Sequence, residues 1–479
     1  MKWTLDKQLF TGLAVIIFLF NLTLLTDFVW LWQGPETLLA NDVIAQRYSS
    51  LVSWLVEQFS AGDPLNLVGF RLPGLIITVL GVVAIVLITR KILGNDFTLL
   101  LCLTLANCFL IMMFSKVASG DAWTLVLQSI GVLSMIRFIK TPTLLWRIIH
   151  YLAIAGAIWF NPIMSSILFI LVPAIYYIFL PKGKIVWKLA PWNIVFLNLV
   201  LYYISPQNNW LAEDHYLSWG QSGFGLYLLV IFISYLPLQG FFLAGIVAAF
   251  KNLKKKEEFS LYFLPWLVIG LLLQSPSVVV VMAIFITKHL QDFFVKNYPY
   301  GGYIKAYSTL HLITFFFAAA FLMLGGFFVF RGTGFRSGLS FSFVYWVLSF
   351  LLVIGIFGKN KRFIYAGAFL SGLLSTTIFC VQIFPLLENQ RIHRKVLSNF
   401  EVQRIEPAWV IYKSDLPVQE DQLLFYLKNE TKAEVVLEQP NEQVGVALIP
   451  QAKADSTMVT GWRDNLKLEI FEVRAMRGN

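Results

Sequence analysis

Apolar runs, most of them about 18–24 residues long, recur from residue 9 to residue 385, each able to cross a hydrocarbon core of about 30 Å as a helix. Thirteen are readable, near 9–31, 70–90, 97–115, 121–139, 146–163, 164–180, 191–205, 224–250, 260–275, 277–290, 306–330, 340–357 and 362–385. The short ones beside Pro162 and Ser275-Pro276-Ser277 also fit broken or re-entrant segments. After residue 385 the pattern changes. Residues 408–412, 433–437, 444–448 and 466–473 alternate as strands do, and Glu420 to Lys428 reads as a helix between the first two. The predicted fold class is a polytopic α-helical membrane protein over 1–385, with about thirteen transmembrane helices, followed by a small α/β domain over 386–479.

Polar positions between the runs set the orientation. Basic residues crowd alternate loops, at Arg90 and Lys91, Arg137 and Lys140, Lys182, Lys184 and Lys188, Lys254 to Lys256, and Lys359, Lys361 and Arg362. By the positive-inside bias those loops are cytoplasmic. Lys2 and Lys7 precede a first run with no small-residue cleavage site after it, the pattern of a retained signal anchor with its N-terminus inside. Thirteen crossings then make the tail extracytoplasmic, and the chain an inner-membrane protein.

Composition agrees: 58% of the 479 residues are apolar and 13% charged, which excludes an ordinary soluble domain. The net charge of +10 follows from the basic loops, and no basic stripe carries interleaved surface aromatics, so nucleic acid is not an expected partner. Cys102, Cys108 and Cys380 all fall in apolar segments and make neither a disulfide framework nor a zinc motif. A transporter is disfavoured by the lack of an internal repeat and the scarcity of intramembrane charge.

Candidate chemistry therefore belongs to the outer face. Asp121, in Lys116-Val-Ala-Ser-Gly-Asp121, sits at the mouth of a membrane helix, where an acid without a water or protein partner costs roughly 2.5–3.5 kcal/mol. It serves chemistry, caps the helix, or does both. In the first outer loop, Glu36 is a loop acid and Asp42 is placed to cap an interfacial helix over about 41–60, where Ile44, Tyr48, Leu51 and Leu55 recur at helical spacing. Arg47 on that helix either binds a phosphate or snorkels to lipid headgroups. The loop 206–223 carries Asp214 and His215, a pair that fits a site or plain solvation.

The series Phe70-Arg-Leu-Pro-Gly74, Arg90-Lys-Ile-Leu-Gly94 and Lys116 to Asp121 resembles the second to fourth helices of bacterial GT-C glycosyltransferases, the aminoarabinose transferase and protein O-mannosyltransferase relatives. Gly223-Phe-Gly-Leu-Tyr, Tyr235-Leu-Pro237, Tyr412-Lys-Ser and Leu424-Phe-Tyr-Leu427 continue it in order. The resemblance implies a GT-C-like fold with an exterior C-terminal domain. It also implies transfer of a sugar from a polyprenyl-phosphate donor, on the outer leaflet, to a lipid or protein acceptor. Asp121 matches the family's acidic position in the second outer loop, with Lys116 where an arginine is usual. Glu36 and Asp42 stand for the acids of the first loop, and Lys116, Arg47 and Arg71 are the expected donor-phosphate ligands. A divalent metal ion between Asp121 and a first-loop acid is also conceivable from the family.

The sequence departs from that pattern in three places. The first loop is short and lacks the paired Asp-Glu and the Lys-Pro-Pro. Helix five reads Phe160-Asn161-Pro162 where Lys-Gly-Pro is usual. The turn between helices nine and ten reads Leu273-Gln-Ser-Pro-Ser277, without the family's cation and tyrosine. Two readings follow: an active transferase with a reduced donor site, or a catalytically silent GT-C-like subunit that serves a membrane protein partner in an envelope complex.

Overall fold

In the computed structural model the described residues are 51–62, 66–189, 193, 195–197, 199, 224–295 and 297–378, with four strands of the tail. The helices are α1 (Leu51–Ser60), α2 (Leu67–Leu93), α3 (Phe97–Ala106), α4 (Phe109–Lys116), α5 (Asp121–Lys140), α6 (Leu144–Phe160) and α7 (Pro162–Phe179). They continue as α8 (Phe224–Ile233), α9 (Gln239–Leu253), α10 (Glu258–Leu272), α11 (Val278–Asp292), α12 (Gly301–Phe357) and α13 (Lys361–Ile378). By length and composition α2, α5 and α7 can each cross a membrane, and α3 with α4 makes a further span bent by 64°. The chain is a polytopic membrane protein, with Leu80, Leu152, Ile163 and Phe317 among the large apolar side chains left on its outside for lipid.

Three runs differ from their sequence reading. The run 97–115 breaks at Asn107 and Cys108, and the run 224–250 breaks at 234–238, where Pro237 follows a cis peptide bond. The two breaks meet, because the Phe109 amide freed at the start of α4 donates to the Ser234 carbonyl at 3.0 Å. A backbone group at membrane depth needs a protein partner when helix geometry does not supply one. The third difference is α12, a single run of helical backbone covering two expected crossings. A straight helix would set Lys305 and Phe357 roughly 78 Å apart, at about 1.5 Å per residue. Instead the Lys305 ammonium lies 5.2 Å from the Phe357 ring centroid, and His311 is 3.2 Å from the Tyr345 hydroxyl. The helix doubles back, and its two arms follow the expected segments 306–330 and 340–357.

Helix contacts are closest where side chains are absent. A β-carbon on Gly81 would lie 2.2 Å from a Val126 methyl, so α2 and α5 pack nearly backbone to side chain there. One on Gly69 would lie 2.3 Å from the Phe59 carbonyl oxygen, which fixes α1 against the start of α2. The core runs through α2 to α11, where Phe70, Leu133, Ile158, Val172, Trp266 and Phe285 are fully buried.

The loop lysines and arginines gather at one end, here called the basic end. Arg137 donates to the Lys91 carbonyl at 2.8 Å, Lys91 lies over Trp146, and Lys140 pairs with Glu258 at 3.1 Å. Lys251 lies over Tyr300, and Lys361 over Phe294. In the tail, β1 (Trp409–Tyr412), β2 (Glu434–Val436), β3 (Gly445–Pro450) and β4 (Phe471–Met476) form one sheet in the order β2-β1-β3-β4. The first three are parallel neighbours, and β4 is antiparallel to β3, running 471–476 where 466–473 was expected. The parallel β1–β2 pair requires a crossover connection; the helix expected at 420–428 lies outside the described residues.

Candidate functional site

Opposite the basic end, the segments that carry three of the expected site residues abut. Arg71 lies in the second turn of α2, Lys116 is the last residue of α4, and Asp121 is the first of α5. A β-carbon on Gly74 would lie 3.4 Å from the Val117 carbonyl oxygen, so the turn of α2 that follows Arg71 abuts the segment that follows Lys116. Arg71 is 1% exposed, Lys116 0% and Asp121 2%. None of the three is without a partner. A charge buried alone would shift toward its neutral form or unfold the site, so three retained together need mutual or neighbouring compensation.

Asp121 does not cap its helix as the sequence allowed. The residue before α5 is Gly120, which makes no side-chain cap, and Asp121 already has helical geometry. Its carboxylate instead accepts a hydrogen bond from the Ser119 hydroxyl at 3.2 Å. At the first helical position it also faces the positive end of the helix dipole, worth about 0.3–1 kcal/mol to an anion. Glu36, Asp42, Arg47, Asp214 and His215 lie outside the described residues, as does the expected interfacial helix before residue 51.

A neutral network that sequence reasoning missed lies beneath the three charges. The Gln128 amide of α5 donates to the Ser165 hydroxyl of α7 at 2.9 Å, and Ser165 donates onward to the Ala157 carbonyl at 2.8 Å. The Ser275 hydroxyl donates to the other end of the Gln128 amide and lies 2.7 Å from the Ser277 hydroxyl. Trp266 donates to Ser277 at 3.2 Å. Gln128 is seven residues along α5 from Asp121, about 10 Å down the helix axis, so the turn between α10 and α11 ends short of the charged level. No charge in these apolar runs flags the residues, and Ser275 is 147 positions from Gln128 in sequence.

Solved structures match almost the whole chain, two structures of ArnT among them. The crystal structure of ArnT from Cupriavidus metallidurans in the apo state superposes with a TM-score of 0.67 at 14% identity, over 99% of this chain and 98% of that one. The same protein bound to undecaprenyl phosphate superposes with a TM-score of 0.62, at the same identity and coverage. The fold is that of ArnT. The sequence matches no protein-family model and no curated protein sequence. At this identity the likeness establishes the GT-C-like fold that the ordered motifs implied, and any activity has to be argued from this chain's own residues.

Of the three departures, the first loop lies outside the described residues, and the other two take on local structural roles. Asn161 caps α7, accepting from the Met164 amide at 3.2 Å, with Pro162 at the first helical position, where a missing N–H costs nothing. Ser275 and Ser277 are fully buried and satisfied. The described histidines have partners within the protein: His150 with the Gly131 carbonyl and the Asn193 amide, His289 with Tyr298 and His311 with Tyr345. Among the described residues no three His, Cys, Asp or Glu side chains gather as a metal site.

Proposed function

We propose that this chain is a membrane glycosyltransferase that moves a sugar from a polyprenyl-phosphate donor to a lipid or protein hydroxyl at the outer face of the cytoplasmic membrane. The observation that carries the reading is the burial of Arg71, Lys116 and Asp121 together, opposite the basic end, in the fold of ArnT. A matching structure of ArnT holds undecaprenyl phosphate, the phosphate carrier that such a donor would release. The positive-inside bias puts the basic end in the cytoplasm, and so the three charges and the tail outside.

The chemistry follows from the charges. In the transfer, a bond forms between the acceptor oxygen and the anomeric carbon while the bond from that carbon to the phosphate oxygen breaks. Asp121 orients the acceptor hydroxyl and takes its proton, a role typically worth 10²–10⁴-fold. Lys116 and Arg71 neutralise the phosphate as negative charge builds on the departing carrier, and in a dry site that stabilisation exceeds its value in water. In this reading Glu36 or Asp42 supplies a second acid beside Asp121, Arg47 joins Lys116 and Arg71 on the donor phosphate, and Asp214 and His215 are further candidates for the same site.

One observation favours the competing reading, a catalytically silent subunit: the α10–α11 turn, where the family places a cation and a tyrosine, is buried and neutral. The purified full-length chain, supplied with polyprenyl-phosphate sugars and a hydroxyl acceptor, distinguishes the two. The transferase reading expects turnover that Asp121→Asn removes. No turnover of any such donor, with a fixed membrane partner co-purifying, would replace it with the subunit reading.

A further inference from the structure

The basic end carries a cleft that the transfer reaction leaves unused. It has a volume of ≈ 270 Å³ and opens between the end of α9, the start of α10, the end of α11 and the loop 293–300. Its polar lining includes Asn252, Glu257, Lys288, Asp292, Asn297 and Tyr298. Both signs of charge are present. Lys288 pairs with Asp292 at 3.1 Å, each side chain about 30% exposed (30% and 28%), and Glu257 adds a second carboxylate. The cleft itself is therefore net acidic, while its rim is basic: Lys254, Lys255 and Lys256 are exposed on the turn that leads to Glu257.

Aromatic rings complete the wall. His289, Tyr298 and Tyr300 pack edge to face or tilted at centroid distances of 5.7–6.5 Å, and the Lys251 ammonium already rests 5.6 Å from the Tyr300 centroid. A ring that holds one ammonium in this way shows that cations are accepted there. Burial and the neighbouring Asp292 carboxylate push the Tyr298 phenol above its ordinary range, which keeps it a protonated donor. Phe250, Leu253 and Val295 stand exposed beside the mouth, at 53%, 37% and 59%, as apolar surface next to a polar cleft. The cleft lies just below the usual range of ligand pockets, about 300–1,000 Å³, and has room for a phospholipid headgroup.

We propose that this cleft binds the headgroup of an ethanolamine phospholipid from the leaflet at the basic end, its ammonium on Glu257 and Asp292 and its phosphate on Lys288 and the 254–256 lysines. A primary ammonium can donate hydrogen bonds to both carboxylates, and charge-assisted bonds of that kind are the strong ones. A glycerol headgroup offers the phosphate alone. A choline headgroup carries the positive charge without an N–H to donate. The site lies opposite Arg71, Lys116 and Asp121, and its occupancy does not depend on the transfer reading.

The test uses the purified full-length chain with equal amounts of dioctanoyl phosphatidylethanolamine, phosphatidylglycerol and phosphatidylcholine, read as retained lipid by native mass spectrometry. The ethanolamine lipid should be retained about tenfold over either of the others. Glu257→Gln with Asp292→Asn should erase that preference, while the charge-conserving Glu257→Asp with Asp292→Glu should keep it. Equal retention of the three lipids would overturn the proposal, as would a preference that survives loss of both carboxylates. If the charge-conserving pair also loses the preference, packing is responsible and the ionic account fails. Free O-phosphoethanolamine should compete weakly; competition as strong as the lipid's would assign the cleft to a soluble ligand and overturn the lipid assignment.

Discussion

The two ends of the helical domain hold charge in opposite ways. At the basic end the lysines lie on the surface, with Lys140 26% exposed in its pair with Glu258, itself 70% exposed, and others laid over aromatic rings. Such groups keep their heads wet and bury only their stems, and topology alone accounts for them. At the opposite end Arg71, Lys116 and Asp121 are at most 2% exposed. Topology gives no reason to bury them. Charge withdrawn from water is costly to hold in place, and a function that needs charge in a dry site explains why it is held.

Substitutions at the two ends should therefore differ in kind. The largest effect is expected at Asp121: Asp121→Asn should lower transfer by about 10²-fold or more, with little change in melting temperature, because the amide oxygen still accepts from Ser119. A radiolabelled or mass-tagged sugar transfer assay reads this directly. Next, Lys116→Ala and Arg71→Ala should each reduce donor use by at least about tenfold, a barrier increase of about 1.4 kcal/mol. If the charges act on the leaving phosphate, kcat should fall along with kcat/KM.

Smaller effects should be structural. Gly81→Ala forces a methyl into Val126 and should cost about 1–3 kcal/mol, seen as a lower melting temperature in detergent with near-normal turnover in the folded fraction. The least effect belongs to the basic end. Lys140→Ala removes an exposed ion pair worth under about 1 kcal/mol and should leave transfer unchanged. A large loss of transfer in Lys140→Ala would erase the contrast between the two ends.

Much of this arrangement was legible in the sequence, for identifiable reasons. Long apolar runs report a solvent, so the membrane class follows from length alone, and the basic loops mark one end because charge avoids hydrocarbon. The ordered motifs from Phe70 to Asp121 led to the fold that ArnT shares. The helix breaks were less legible. The runs 97–115 and 224–250 are apolar enough overall to read as single crossings despite Asn107 and Pro237, and the break at 107–108 depends on a distant carbonyl, that of Ser234, accepting the freed amide of Phe109.

The cap reading of Asp121, one of two weighed, missed by one residue, since the helix begins at the carboxylate and the cap position falls on Gly120. The Gln128, Ser165, Ser275 and Ser277 network was invisible because neutral side chains in apolar runs look alike until the fold pairs them. Charge marked other positions. Arg71 and Lys116 stood out in sequence as basic residues away from the basic loops, and both are buried, as Asp121 is.

The most direct measurement is the binding of undecaprenyl phosphate to the purified full-length chain, comparing the native sequence with Lys116→Ala at one end and Lys140→Ala at the other. The account predicts binding by the native chain, binding weakened about tenfold or more in Lys116→Ala, and binding unchanged in Lys140→Ala. Equal binding by all three would contradict it, as would loss confined to Lys140→Ala.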